Sequence, residues 1–424
     1  MEDDARRGAL QRSRVIEASP VHYGWVILGA GTFGSFMTLP GQTAGVAVFF
    51  DPITTDLGIS RTWASAAYAV GTLAGILPAP IIGRWIDRRG PRITATLLAL
   101  ALASACIFMA LVDSALMLMV GFALLRGSAI GGLSLVSQHV VNLWFVQRRG
   151  IAAAAASLGL AAGSMVLPQL FDLLISLHGW RGAYLMIALL VALTILPAVA
   201  VLYRARPETF GLSTDVGLPP VARGSREEPS FTHGGAVHTG VFWLLTAMGF
   251  LTNAIGTALL LNHFSMMDRA GLARPDALRV LAVYAAVQVG VTLATGALLD
   301  RCEPRRLVPL AMLALAAASA LPAFGSGIAV SWLYALALGA AYGAQQAIGA
   351  AGYAQYFGRD HLGAIRGTSF VFGISGAAFG PLPFAASIDW TGSYSVALTG
   401  SCLLCLACGA ASFIVRPPSP AQNR

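Results

Sequence analysis

The chain of 424 residues has no lysine: all 27 of its basic side chains are arginine, set against 19 acids and 7 histidines. Charge is scarce overall, at 11% of residues, where a soluble domain carries about 25%. So little charge cannot cover a water-facing surface, which excludes a soluble enzyme, a nucleic-acid binder and a disordered chain. No Asp or Glu falls at the centre of any long apolar run, so no buried acid stands out as a proton carrier. Cysteine is limited to Cys106, Cys302, Cys402, Cys405 and Cys408. The last three form C-x2-C-x2-C inside an apolar helix with no His or acid nearby, and read as small packing residues rather than a metal site. Paired acids, a nucleophile with its base, a phosphate loop and metal clusters are all missing. No cofactor or metal is expected, and an enzyme is not.

What is present is apolar sequence. Hydrophobic residues make up 56% of the chain, Gly contributes 47 positions, and mean hydropathy is +0.71. A membrane-crossing helix needs about 20 apolar residues. Twelve such spans can be marked, at 22–47, 62–84, 93–112, 115–141, 150–175, 181–203, 240–264, 275–298, 307–325, 328–354, 364–387 and 394–415. The polar, mixed-charge stretch 1–21 lacks a signal-peptide core and reads as a cytoplasmic tail. The stretch 204–239, with four prolines, reads as a linker between two six-helix bundles, 22–203 and 240–415; a tail, 416–424, follows. With both termini placed in the cytoplasm, 21 arginines fall on that side, five fall outside (Arg61, Arg181, Arg269, Arg274, Arg279), and Arg126 lies within a span. That bias is a positive-inside signal. The formal charge of +8 therefore orients the chain in a lipid bilayer rather than recruiting nucleic acid.

The halves carry a repeat. Gly83 to Arg92 and Gly296 to Arg305 share G-x3-D-R-x2-P-R at an offset of 213 residues, each after the second span of its half. Two parallel six-helix repeats about an axis along the membrane normal make a transporter architecture. In this loop Gly83 and Gly296 permit close helix approach. Asp87 and Asp300 can accept hydrogen bonds at a helix end and pair with Arg88 or Arg301. With Gly90 and Arg92, the motif reads as a clamp that holds the halves together on the cytoplasmic side in one state and releases in another.

These residues resemble the major facilitator superfamily, whose cytoplasmic loop motif is matched at Gly83 to Arg92. More narrowly, the chain resembles the bacterial monocarboxylate transporters and their oxalate/formate antiporter relatives. The matching pieces are His22-Tyr23-Gly24-Trp25, Trp144-Phe145 with Arg148-Arg149-Gly150, Gly179-Trp180-Arg181, Arg206-Pro207-Glu208, Tyr356-Phe357-Gly358-Arg359 and Thr391-Gly392-Ser393-Tyr394. The resemblance implies an all-α membrane fold of twelve helices in two pseudo-symmetric bundles. It also implies alternating access, a place in the inner (plasma) membrane and action as a monomer. Carboxylate carriers of this kind commonly place an Arg in span 8. Here that position is Thr292, with Gln288 one turn earlier, and the lysine that oxalate-type relatives use in span 11 is absent.

Ionisable groups inside spans are costly and usually functional. Arg126, about 18 Å into span 4 at the helical rise, is a candidate anion-binding group, or a structural Arg satisfied by carbonyls. His263 and His139 could bind solute or carry a coupling proton. Tyr284, Gln288 and Thr292 share one face of span 8; Tyr342, Gln345 and Gln346 cluster in span 10; Asn253 lies in span 7 and Gln42 in span 1. Amides face protein or water rather than lipid. The expected function is secondary transport of a small organic solute, foremost a carboxylate, with proton coupling allowed; the alternative is a neutral or larger amphipathic solute.

Overall fold

The computed structural model describes residues 13–145, 149–212, 231–299, 301–358 and 361–417. They form helices joined by short turns. Ten helices are individually long and apolar enough to cross a membrane, and two local features reconcile that number with twelve spans. Span 1 is broken: Tyr23–Phe36 is followed by a tight turn over Leu39–Gly41, and the chain resumes helix at Thr43–Leu57. Pro40 has no N–H to give a helical hydrogen bond, which favours a kink or break at this turn. Spans 5 and 6 are two helices that meet within Arg149–Leu193 at a sharp kink at Gly179, whose φ of 68° and ψ of 170° only glycine adopts without strain. Span 1 therefore extends ten residues past its expected end, into the segment holding Asp51 and Asp56. Both acids are tolerated there because arginines meet them, Arg61 and Arg181 respectively.

The two-fold repeat is visible in how helices touch. In the first half, a Cβ on Gly159 or Gly163 of span 5 would meet the carbonyl oxygens of Thr32 and Phe36 in span 1. In the second half, Gly376 and Gly380 of span 11 meet the carbonyls of Phe250 and Ala254 in span 7 in the same way. Likewise Gly71 and Gly75 seat span 2 on span 4, and Gly339 and Gly343 seat span 10 on span 8. Small residues at four-residue spacing let helix backbones approach, and in lipid close packing rather than a hydrophobic drive holds helices together. Large apolar side chains such as Leu77, Leu116, Phe324, Trp390 and Phe413 are exposed around the bundle, as an outer surface wetted by lipid requires.

One face of the bundle carries the two described chain ends. There Tyr23 donates to the Leu202 carbonyl (2.7 Å) and Trp144 to that of Ala205 (2.9 Å), tying spans 1, 4 and 6. In the second half Phe231, beyond the linker, donates to the Phe357 carbonyl at 3.0 Å. This is called the terminal face below, and the opposite one the far face.

Candidate functional site

Arg126 sits in the last turn of the first helical stretch of span 4, Ala115–Ser128, just before a π-helical segment, Ala129–Ser134. The π segment contains Gly131-Gly132 and widens the helix by an extra residue, a distortion that often marks a functional site. Only 3% of Arg126 is exposed. Its guanidinium lies over the Tyr68 ring, 4.5 Å from the centroid. Its Nη1 donates to the Gly41 carbonyl at a long 3.4 Å, an oxygen left outside the helical ladder by the break in span 1. Its Nε has no hydrogen-bond partner, and none of the described ion pairs engages it.

Around this cation the two halves meet. The Tyr68 hydroxyl pairs with Thr43 Oγ1 at 2.9 Å, and Tyr342 of span 10, in the other half, lies within electrostatic range of Arg126. Tyr342 packs edge-on against Tyr284 of span 8, 5.7 Å between centroids. Its ring presses on span 7 at Gly256, where a Cβ would lie 2.3 Å from it. Tyr68 and Tyr342 thus stand beside the guanidinium, with Tyr284 behind Tyr342; a guanidinium can offer a planar fork to a carboxylate, and the rings can give area for a hydrocarbon part.

The sequence model of the Major Facilitator Superfamily matches residues 31–381. The chain belongs to the major facilitator superfamily. Among curated relatives, it is 23% identical over 226 residues to the oxalate:formate antiporter of Oxalobacter formigenes, covering 53% of this chain and 51% of that protein. It is 27% identical over 295 residues to human monocarboxylate transporter 11, covering 66% and 57%. The chain thus spans about half the length of the curated relatives it matches. Among solved structures, a bacterial homologue of the human lysosomal transporter Spinster superposes with a TM-score of 0.71 at 16% identity, covering 94% of this chain and 97% of that one. The nucleoside transporter NupG gives 0.70 at 11% identity, covering 92% and 99%. The chain therefore has the multi-pass, twelve-helix membrane fold of the superfamily.

Within that fold the remaining sequence candidates fall into separate groups. Asn253 donates to the Gly249 carbonyl (2.7 Å), and the Gln345 amide nitrogen lies beside the same glycine, where spans 7 and 10 face each other. Thr292 donates to the Gln288 carbonyl at 2.7 Å and reaches Gln346 Oε1 at 3.4 Å, a second group between spans 8 and 10. Gln42 stays local, donating to Thr38 at 3.3 Å. His263 lies elsewhere. It is 1% exposed, hydrogen-bonded to the Ala277 carbonyl (2.9 Å) and stacked on Tyr334, at the far end of span 7. His139 is half-buried in the last turns of span 4. Thr43 was not singled out by sequence; its place in the re-entry of helix after Pro40-Gly41 is the signal that points to it.

The loop motif is only partly described: Asp300 lies outside the described residues, and so does the side chain of Asp87. Gly90 takes φ 80°, turning the chain between spans 2 and 3, while no neighbour crowds Gly83 or Gly296. Arg92 donates to the Ala200 carbonyl at the end of span 6, and its repeat partner Arg305 donates to that of Val415 after span 12 (2.8 Å). Both arginines thus staple helices within their own half. Arg88 and Arg301 are exposed.

Proposed function

We propose that this transporter carries a small organic anion, a carboxylate with an apolar body, through the centre of the bundle by alternating access. It acts as a single chain in the plasma membrane, with the terminal face cytoplasmic and the far face outside. The observation that carries the reading is Arg126: a buried guanidinium with an unpartnered Nε, held only by neutral groups, the Tyr68 side chain and a long bond to Gly41. A buried charge without a partner is costly, and a solute carboxylate would complete it. Tyr68, Tyr342 and Tyr284 would hold the apolar body, and the amides of Asn253, Gln345, Gln346 and Gln288 would meet its polar edge. The cation at Arg126 suits a monoanion, because a second carboxylate would find donors but no counter-charge from Thr292 or Gln288. Since His263 is enclosed by Ala277, Phe264 and Tyr334, transport would run on the solute's own gradient or on exchange.

A second reading, a neutral or amphipathic solute, is favoured by the amide and tyrosine lining of spans 8 and 10. Thermal-shift screening of the purified protein against carboxylates and neutral analogues separates the two, because a bound ligand raises the melting temperature by mass action. Uptake of labelled hits into proteoliposomes, with and without an inward-acidic gradient, follows. Stabilisation and uptake by neutral compounds alone would overturn the anion reading.

A further inference from the structure

On the far face the two halves are joined by polar contacts; Thr62 N–H donates to the Asp389 carboxylate (2.9 Å), and the contacts made by two arginines follow the repeat. Arg61 opens span 2 and Arg274 opens span 8; they stand 213 residues apart, the offset of the loop motif. Each lies over a phenylalanine of its own half, Arg61 over Phe50 (5.6 Å) and Arg274 over Phe264 (4.7 Å). Each then crosses to the other half, at the residue two positions before that half's phenylalanine. Arg61 Nη1 donates to Asn262 Oδ1 at 2.9 Å and Arg274 Nη2 to the Val48 carbonyl at 2.9 Å. The pattern is reciprocal down to the register. The acceptor differs, a side-chain amide for Arg61 and a main-chain carbonyl for Arg274, and so do the carboxylates: Arg61 pairs with Asp51 of its own half, whereas Arg274 pairs with Asp172 of span 5, across the interface.

We propose that Arg61 and Arg274 are a repeat-related pair of latches that hold the far face shut, and that they are unequal. Releasing the far face breaks the ion pair of Arg274 with Asp172, but leaves that of Arg61 with Asp51 intact. Arg61 therefore acts as a bolt held ready by Asp51 against a fixed plate. Asn262 is fully buried and is itself fixed by a bond to the Ala258 carbonyl (3.0 Å) and by the Tyr394 hydroxyl (3.2 Å). Between the latches lies a cavity of about 340 Å³ lined by both halves, Thr54 and Asp51 from one and Asp268 and Leu272 from the other. The proposal rests on the alternating-access reading, though not on which solute is carried.

The test needs no substrate. In the full chain with its five native cysteines replaced, Thr54→Cys, buried in the cavity between the latches, is labelled with an impermeant maleimide from the far side of reconstituted vesicles. Gln346→Cys is labelled from the terminal side. Arg274→Gln or Asp172→Asn should speed labelling at 54 roughly five- to tenfold, and Arg61→Gln roughly two- to threefold, the range expected for losing partly exposed charge-assisted contacts. The exchange Asp172→Arg with Arg274→Asp should restore slow labelling, which a misfolded variant would not. Labelling at 54 that ignores all of these changes, or that the exchange fails to slow, overturns the latches. Faster labelling at 54 with no slowing at 346 keeps the latches but removes the alternation they rest on.

Discussion

Replacing Arg126 separates its two readings, because they predict opposite signs for stability. In the solute-free protein the side chain gains a cation–π contact, worth about 2 kcal/mol when desolvated, and a long hydrogen bond to Gly41 at 3.4 Å worth under about 1 kcal/mol. Against this stands the cost of burying a guanidinium without a counter-charge, several kcal/mol. Arg126→Gln should therefore leave the melting temperature of the empty protein unchanged or raise it. Solute binding should suffer heavily. A charge-assisted hydrogen bond contributes about 1.5–3 kcal/mol, so affinity for a carboxylate should fall roughly 10- to 150-fold at 1.4 kcal/mol per tenfold. Arg126→Lys keeps the charge but loses the planar fork and the Nε–H, and should recover only part of that loss. Thermal melts with and without the best carboxylate, together with its concentration dependence of uptake, read both effects. A Gln variant that melts well below wild type yet binds carboxylate as tightly would refute the anion site and make Arg126 a structural group.

Three further outcomes follow from the packing. Gly380→Ala would place a methyl 2.1 Å from the Ala254 carbonyl where spans 11 and 7 cross, whereas Gly290→Ala meets nothing within 4 Å. The first should cost about 1–3 kcal/mol and the second nothing or a small gain, as read from melts in the same detergent. Gly256→Ala pushes the Tyr342 ring off span 7 and should weaken solute binding more than it lowers the melting temperature; equal affinity would remove Tyr342 from the site. At the terminal face, hydrogen bonding from Arg305 holds Glu303 below its ordinary 4.5. A depressed carboxylate stabilises the fold above its unfolded pKa and loses that contribution as pH falls through the folded one. Glu303→Gln should thus melt slightly below wild type at pH 7, by less than about 1 kcal/mol for so exposed a pair, and the two curves should converge below pH 4.5.

The span count was legible because apolar length and arginine alternation are one-dimensional signals, and the lipid slab enforces them residue by residue. The break in span 1 was not, since Pro40-Gly41 in an apolar run is compatible with a kinked helix or with a broken one. The choice is made by Leu125 and Ala129 of span 4, which press on Gly41 and leave its carbonyl for Arg126. Periodicity found Tyr284, Gln288 and Thr292 on one face of span 8, but only tertiary packing divides them, sending Tyr284 to Tyr342 and Thr292 to Gln346. His263 shows the converse limit: a histidine near a span end reads alike whether it opens on a cavity or is sealed behind Tyr334, because the decision is made by a helix about seventy positions away in sequence. The far-face arginines carried the same ambiguity. As a count, Arg61 and Arg274 were among five exceptions to the orientation rule, residues on the wrong side for anchoring. Their placement makes sense only as a pair, since positive charge kept on the far face is paired with Asp51 and Asp172 and is used to join the halves rather than to orient them.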